Sequence, residues 1–256
     1  MNFIEKLNNT DVTTGSVHIY WIGQAGFIIK TAGGKIIMID PYLTDSVYEG
    51  TKSDLGYAFK RVSPALFEPD EIEADYCFCS HEHGDHVDTE AIARIKAPIY
   101  TNSAGADVAK QTGTSEKNIN VISRGDKLEF EEFTLIVIAA QHGDLSPGAL
   151  GFIFDFDFTS IYYAGDTAYD IDALKPAIDA KPMIALLPIN GEYGNLNSKE
   201  AAMLSSDLKS KICIPHHYWT FPRHMGNPNE FLEMMQKYSP LCKPIILTPG
   251  EAFPVH

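Results

Sequence analysis

The chain has 256 residues, of which 45% are hydrophobic, and it carries a formal net charge of −14. A chain of this length and apolar content can form a sizeable core, so a single domain over residues 1–256 is predicted. The acidic charge, without any cluster of lysine or arginine, argues against nucleic acid as a partner because a polyanion would be repelled.

The cellular location is predicted from what the sequence lacks. No apolar run reaches the roughly 18 residues that a membrane-spanning helix requires. Residues 1–6 have no basic region followed by an apolar core, so no signal peptide is expected. We therefore expect a cytoplasmic protein with no membrane partner, and homo-oligomerisation stays open. The four cysteines are expected to be small buried hydrophobic side chains in a reducing compartment.

The first half of the chain is predicted to be rich in strands. Apolar runs predict strands over residues 17–21, 27–30, 35–39, 76–79, 98–100, 121–122, 127–130 and 133–140. Helices are predicted over residues 89–95 and 103–112. Residues 41–70 lack periodicity, and such a long irregular segment is typical of a loop beside a substrate pocket. Arg61 is a candidate substrate contact in this loop; a solvated charge is the alternative.

The second half repeats this organisation. Strands are predicted over residues 152–158, 161–164, 183–188, 212–214 and 244–247, and helices over residues 171–178, 198–208 and 228–238. The glycines and amides of residues 190–197 suit a pocket wall, where Tyr193 and Asn195 are candidate substrate contacts, or a plain turn. Further on, Arg223 and His224 are candidates to meet an anionic substrate group, or are surface residues.

Residues 80–88 concentrate side chains that can bind metal. Four such side chains lie within six residues: His81, His83, Asp85 and His86. They follow an apolar strand, and the glycine among them allows a sharp turn, so they can face one small space. Imidazole suits zinc, iron or manganese, and the carboxylate adds a hard oxygen ligand. The segment therefore predicts a metal site rather than a solvated loop.

Other apolar runs also end in side chains of a ligand type. These are Asp40, His142, Asp166 and the neighbouring pair His216 and His217. Strand ends that meet at one rim are the usual place for a site in a layered α/β protein. We therefore expect these residues to join the same site as the motif at residues 80–88.

The spacing of these residues resembles the metallo-β-lactamase superfamily of metal-dependent hydrolases. The pattern runs from His81-x-His83-x-Asp85-His86 through His142 and Asp166 to His217. The resemblance covers nearly the whole chain, from WIGQAG at residues 21–26 onward. Within the superfamily, DPYLTDS at 40–46, RVSP at 61–64 and IPHH at 214–217 are similar to the L-ascorbate-6-phosphate lactonase-like branch.

The resemblance implies a fold and a set of ligands. The fold would be an αββα sandwich of two mixed β-sheets with helices on both outer faces. One metal ion would be held by His81, His83 and His142, the other by Asp85, His86 and His217, with Asp166 between them. The cofactor would be one or two divalent ions, zinc or manganese, with iron also compatible.

The remaining residues receive roles from the same resemblance. Asp40 would support the metal-binding loop without binding metal. The family pattern favours His217 over His216 as the ligand, which makes His216 a structural neighbour. A metal-activated hydroxide would be the nucleophile, and Asp85 would orient it as a catalytic residue.

Three functions are compatible with this pattern. The first is hydrolysis of a small polar lactone or other ester, similar to the ascorbate-phosphate lactonase branch. The second is hydrolysis of a phosphodiester in a nucleotide or a phospholipid head group. The third is a non-enzymatic binding module with structural metal. The complete ligand set argues against the third, and the acidic charge argues against long nucleic acids in the second. A small-molecule substrate is therefore expected.

Overall fold

The computed structural model of the chain describes residues 1–223 and 225–256 and contains two compact units. The first unit comprises residues 1–122, 219–223 and 247–256. The second comprises the described residues of 123–218 and 224–246. Each unit is built around one seven-stranded mixed sheet.

The sheet of the first unit has the order β14-β1-β2-β3-β4-β5-β6. Its strands are β1 (Val17–Gly23), β2 (Gly26–Thr31), β3 (Ile36–Ile39), β4 (Tyr76–Cys79), β5 (Ile99–Thr101), β6 (Ile119–Val121) and β14 (Ala252–Val255). The helices of this unit are α1 (Phe3–Asn9), α2 (Ser46–Leu55) and α3 (Ser103–Gln111). Pairing is antiparallel from β14 to β3 and parallel from β3 to β6.

The sheet of the second unit has the order β13-β12-β11-β10-β9-β8-β7. Its strands are β7 (Lys127–Glu129), β8 (Thr134–Ala139), β9 (Leu150–Asp155), β10 (Ser160–Tyr163), β11 (Ile184–Pro188), β12 (Ile212–His216) and β13 (Lys243–Pro244). Its helices are α4 (Lys175–Ala180), α5 (Ser198–Leu208) and α6 (Pro228–Tyr238). Strands β8, β10 and β12 run in the same direction, so their carboxyl ends lie at the same edge of this sheet.

The central strands of both sheets are deeply buried. Every residue of β2, β3 and β11 is buried, as expected for strands covered on both faces. The core of the first unit joins residues of β1 to β5 with Leu7 of α1 and with apolar residues 87–97 that follow the metal-binding motif. The motif is therefore held between a buried strand and a buried turn.

Several expected elements differ in the structure. Residues 46–55 form α2, not an irregular loop, and none of its residues is buried, so it has no apolar stripe to reveal it. Residues 89–95 form successive turns and not a helix. The helix expected from Ile171 begins at Lys175, because the Asp170 carboxylate accepts hydrogen bonds from the backbone of residues 172 and 173 and fixes a turn there.

An asparagine side chain caps the first turn of both α3 and α5. Asn102 caps α3 by accepting from Gly105 N at 2.7 Å, and Asn197 caps α5 with a complete capping box. The strands β1 to β5 were predicted, whereas α1 and β14 were not. Among the described residues, no helix has the length and apolar character needed to cross a membrane.

Candidate metal centre

The first unit places two histidine rings of the motif against each other directly after β4. Nε2 of His81 lies 3.0 Å from Nδ1 of His83, and His81 is fully buried. A tetrahedral ion with bonds of about 2.1 Å separates neighbouring ligand atoms by roughly 3.4 Å. The spacing of these two nitrogen atoms is therefore close to that of two ligands of one divalent ion.

A buried carboxylate orients two of the motif's histidines. Asp40 Oδ2 accepts from Nδ1 of His86 at 2.5 Å and from the Ser80 hydroxyl at 2.6 Å. The same hydroxyl lies 2.9 Å from Nδ1 of His81 and accepts its proton. Both imidazoles therefore carry their proton on Nδ1 and present the lone pair of Nε2, the form that binds metal.

The backbone also fixes Asp40 in place. Its other oxygen, Oδ1, accepts from Ser80 N at 2.7 Å, and its own N–H donates to Phe78 O at 2.9 Å. Its φ of 41° lies in the left-handed region, which an aspartate tolerates better than most residues. The end of β3 is thus tied to the end of β4, and this supports the role predicted for Asp40.

Asp85 lies beside His86 in the same loop. Its Oδ2 is 3.8 Å from Nε2 of His86 and accepts from Nε2 of Gln24 at 2.9 Å. The carboxylate is mostly buried, with 17% of the side chain exposed. One carboxylate oxygen and one imidazole nitrogen therefore face each other at a distance that a shared cation could bridge.

A second buried carboxylate, that of Asp88, closes the motif. Oδ2 accepts from the backbone N–H groups of Leu43 and Thr44 at 2.9 and 2.8 Å. Oδ1 accepts from the Thr44 hydroxyl and from the backbone N–H groups of Glu90 and Ala91. These five hydrogen bonds attach the motif to the segment after β3 and start the turn that follows.

The second unit gathers three further predicted ligands at the carboxyl ends of β8, β10 and β12. Oδ1 of Asp166 lies 2.8 Å from Nε2 of His217, and Oδ2 lies 3.7 Å from Nε2 of His142. All three side chains are buried. The two oxygens of one carboxylate therefore face two different imidazoles, which is the arrangement needed to bridge two cation positions.

The backbone explains why these strand ends converge. Gln141 N donates to the Thr167 hydroxyl at 2.9 Å, and Ala168 N donates to Gln141 O at 2.7 Å. His217 has a φ of 61° and accepts at its carbonyl from Gly226 N at 2.9 Å. A Cβ on that glycine would lie 2.8 Å from the same carbonyl, so only glycine permits this approach.

The neighbouring histidine has a different environment. His216 ends β12, is fully buried, and its ring stacks on Tyr163 with centroids 5.4 Å apart and planes 17° apart. His217, in contrast, faces Asp166. The two histidines at the end of one strand thus point to different surroundings.

The side chains gathered in each unit are of the types that bind divalent cations. The first unit offers three imidazoles and a carboxylate, and the second offers two imidazoles and a carboxylate, all close to one another within their own unit. Neutral imidazole and carboxylate suit zinc, manganese and iron alike. The Nδ1 contacts of His81 and His86 match the outer contacts that metal-binding histidines use.

The predicted substrate contacts occupy varied positions. Arg61 lines a cleft of about 530 Å³ in the first unit, and its guanidinium donates to the carbonyls of Tyr42 and Ser63. Burial lowers the pKa of Arg61 from its usual value. Arg223 is exposed, and its backbone N–H donates to Ala58 O at 3.0 Å. His224 lies outside the described residues.

The two predicted contacts of the second unit lie in one turn. Tyr193 is 43% exposed with a φ of 53°, whereas Asn195 is buried and donates its N–H to Glu192 O at 3.0 Å. Leu196 N donates to Thr167 O at 2.8 Å, which attaches this turn to the segment after Asp166. The turn is therefore fixed beside one predicted ligand, and its role in substrate binding stays a prediction.

A cleft of about 640 Å³ opens beside His142 in the second unit. Its lining residues are Gln141, His142, Gly143, Asp144, Leu145, Ala168, Tyr169, Asp170, Ile171 and Gly194. This lining contains two aspartates and no lysine or arginine. Burial, together with a hydrogen bond to Asp207, raises the pKa of Tyr169 to about 12, so its phenol remains neutral.

Sequence reasoning missed three residues whose hydrogen bonds hold the metal-binding motif in place: Ser80, Gln24 and Asp88. Ser80 is the first polar residue after the apolar strand, a position that could have drawn attention. Asp88 is the last residue of the segment 80–88 and is not one of its predicted ligands. Gln24 lies between two glycines, and nothing in the local sequence indicates that its amide reaches a residue 61 positions away.

Comparison with known proteins identifies relatives over nearly the full chain. The family described as "Beta-lactamase superfamily domain" matches residues 18–217. A UPF0173 metal-dependent hydrolase of Thermococcus onnurineus is 31% identical over 245 residues, covering 92% of this chain and 98% of the relative.

Solved structures share the fold. A metallo hydrolase of Ignicoccus hospitalis has a TM-score of 0.71 at 22% identity, covering 94% of this chain and 99% of its own. An isothiocyanate hydrolase from Delia radicum gut bacteria has a TM-score of 0.74 at 22% identity, covering 92% and 98%. These likenesses, with the two mixed sheets and their helices, confirm the predicted fold class.

Proposed function

The chain belongs to the beta-lactamase superfamily, among its UPF0173 metal-dependent hydrolases, and on that premise we propose that it hydrolyses a small polar lactone or related ester. The observation that carries this proposal is that the predicted ligands of each unit, all buried or half-buried, lie close together, with neighbouring ligand atoms 2.8–3.8 Å apart. Catalysis by an ester hydrolase of this family requires such ligands, and no serine or cysteine nucleophile is needed.

We assign the ligands as the resemblance implies. His81, His83 and His142 would hold one divalent ion, and Asp85, His86 and His217 would hold the other. Asp166 would lie between the two ions, since each of its oxygens faces a different histidine. Zinc or manganese is the proposed metal.

A divalent ion held by these residues would supply a Lewis acid for the ester carbonyl and would lower the pKa of water. The chain's own residues do the positioning. Asp40 and Ser80 hold the protons of two imidazoles away from the centre. Asp85 accepts a hydrogen bond from the attacking water, takes its proton and returns it to the alkoxide that leaves when the acyl C–O bond breaks.

The acidic cleft beside His142 favours an uncharged ester over a phosphodiester. Its lining carries Asp144 and Asp170 and no cationic side chain, so a phosphate group there would meet like charge. The chain's net charge of −14 also disfavours binding of a phosphate group. Among lactones, we therefore propose that a neutral ring is preferred, with L-ascorbate 6-phosphate as the anionic comparison.

The test is proton release by the protein reconstituted with zinc or manganese. Neutral lactones, L-ascorbate 6-phosphate and a simple phosphodiester are each supplied at matched concentration. We expect lactone hydrolysis that Asp85→Ala abolishes and that Asp75→Ala, which changes a carboxylate at the opposite end of β4, leaves intact. Metal-loaded protein that cleaves the phosphodiester and no lactone would contradict the proposal.

A further inference from the structure

Gln24 occupies a backbone conformation that its side chain does not favour. Its φ is 51°, in the left-handed region, and only 2% of the residue is exposed. Residues with a Cβ avoid this region, and asparagine, aspartate and glycine are the types that enter it most readily. A glutamine held here therefore requires compensating contacts.

Two buried contacts hold the backbone of Gln24. Its N–H donates to the Thr220 hydroxyl at 2.8 Å, and its carbonyl accepts from the Trp21 indole at 3.0 Å. Thr220 is 4% exposed and Trp21 is fully buried. Because both backbone groups are fixed, the direction in which the side chain leaves the turn is fixed as well.

The side chain then reaches the metal-binding loop. Nε2 of Gln24 donates to Oδ2 of Asp85 at 2.9 Å, and this same oxygen lies 3.8 Å from Nε2 of His86. This hydrogen bond opposes rotation of the aspartate about χ1 and χ2. The amide therefore restricts the carboxylate to the orientation in which it faces His86.

The chemistry of the donor also fits this role. A carboxamide does not titrate, so it remains a hydrogen-bond donor whatever the pH. It donates a hydrogen bond without adding a positive charge, whereas a lysine or arginine would neutralise the carboxylate and oppose a cation beside it. A neutral donor is thus the type that orients a carboxylate and leaves its charge for a metal ion.

We propose that Gln24 is a positioning residue of the metal centre, which fixes the Asp85 carboxylate beside His86 so that the two present a preorganised pair of ligands to one divalent cation. The inference rests on the proposed function only in taking Asp85 and His86 as metal ligands. Contacts of this kind behind a ligand typically change metal affinity by 10- to 100-fold.

The test is a titration of metal-free protein with Co²⁺, followed by its visible absorption, for wild type and two variants. Gln24→Met keeps the length of the side chain and removes the donor. Gln24→Asn keeps an amide that suits the left-handed backbone better, but it is one methylene too short to reach Asp85. We expect both variants to bind one of the Co²⁺ equivalents about 10- to 100-fold more weakly, with an altered absorption spectrum.

The control separates positioning from folding. Asn2→Ala removes an exposed amide from the capping box of α1 in the same unit, and it should lower the unfolding temperature of metal-free protein without changing Co²⁺ affinity. Gln24→Asn should lower affinity without a larger loss of unfolding temperature than this control. Wild-type Co²⁺ affinity and spectrum in Gln24→Met would overturn the inference and leave Gln24 as a turn residue.

This titration uses no substrate. Wild-type protein that binds Co²⁺ but hydrolyses no ester would contradict the proposed function alone. Normal Co²⁺ binding by both Gln24 variants, together with ester hydrolysis by the wild type, would contradict the present inference alone.

Discussion

Nδ1 of His86 lies 2.5 Å from Oδ2 of Asp40, and both side chains are fully buried. The carboxylate also accepts from the backbone N–H and the hydroxyl of Ser80, so three donors converge on its two oxygens. A carboxylate can accept all three, because it has no hydrogen of its own to place. The contact sets the tautomer of His86 and, through the serine, that of His81.

The first prediction concerns this carboxylate. Asp40→Asn keeps the shape and tolerates the left-handed backbone, but its NH₂ group must face at least one of the three donors. We expect metal affinity to fall by about 10- to 100-fold, because the imidazoles lose their fixed orientation. Isothermal titration of metal-free protein with Zn²⁺ measures this change.

The matched control for that substitution is Asp75→Asn. Asp75 accepts from Ile36 N at 2.9 Å and pairs with Lys35 at 3.2 Å, with 33% of its side chain exposed. It lies at the start of β4, at the opposite end from the metal-binding loop, so its loss should leave Zn²⁺ affinity unchanged. Equal affinity in Asp40→Asn and wild type would argue against an orienting role for Asp40.

The second prediction distinguishes the two adjacent histidines. His216→Phe preserves an aromatic ring that can stack on Tyr163, so the protein should retain its full metal content. His217→Ala removes the imidazole that faces Asp166 at 2.8 Å, so at least one metal equivalent should be lost. Metal analysis after dialysis gives the content of each variant. Loss of metal in His216→Phe with retention in His217→Ala would reverse the assignment.

Periodicity accounts for how much of the fold was predictable. Strands such as β3 and β4 are short apolar runs that end in polar residues, so their positions follow from the sequence alone. The helix α2 could not be predicted in this way, since none of its residues is buried and its apolar residues form no stripe. Residues 89–95 also contain apolar residues, which pack on the core, but this segment forms successive turns and not the helix that its sequence predicts.

The predicted ligands could be recognised from the sequence, whereas the contacts that hold them could not. A motif such as His81-x-His83 can be recognised because its residues are adjacent. The contact from Ser80 to Asp40 spans 40 positions and the contact from Gln24 to Asp85 spans 61, so neither can be derived from local spacing. Their discovery required the register of β1 to β4, which only the folded structure provides.

The third prediction concerns the hydrogen bonds that the Asp88 carboxylate accepts. Asp88 is 1% exposed, and Asp88→Ala would leave the buried N–H group of Leu43 and the half-buried N–H group of Thr44 without their acceptor. We expect the free energy of unfolding to fall by about 3–5 kcal/mol, because several hydrogen bonds to a charged group are lost together. Urea unfolding of metal-free protein measures this value. Asp75 is partly exposed, so Asp75→Ala should lower the free energy of unfolding by about 1 kcal/mol or less. An equal loss of stability in both variants would contradict the role of Asp88.

The fourth prediction concerns the buried thiols. The contact with Cys77 and burial raise the pKa of Cys79 well above its usual value, and burial does the same for Cys213. Both groups should therefore remain protonated and resist iodoacetamide at pH 8 in the native protein, whereas denatured protein should react fully. The pKa of each thiol is raised in the folded protein. The two protonated thiols therefore contribute fully to stability below about pH 8.5, and this contribution is lost as the pH rises further. Mass spectrometry of alkylated peptides measures the protection, and rapid native labelling of Cys79 or Cys213 would contradict it.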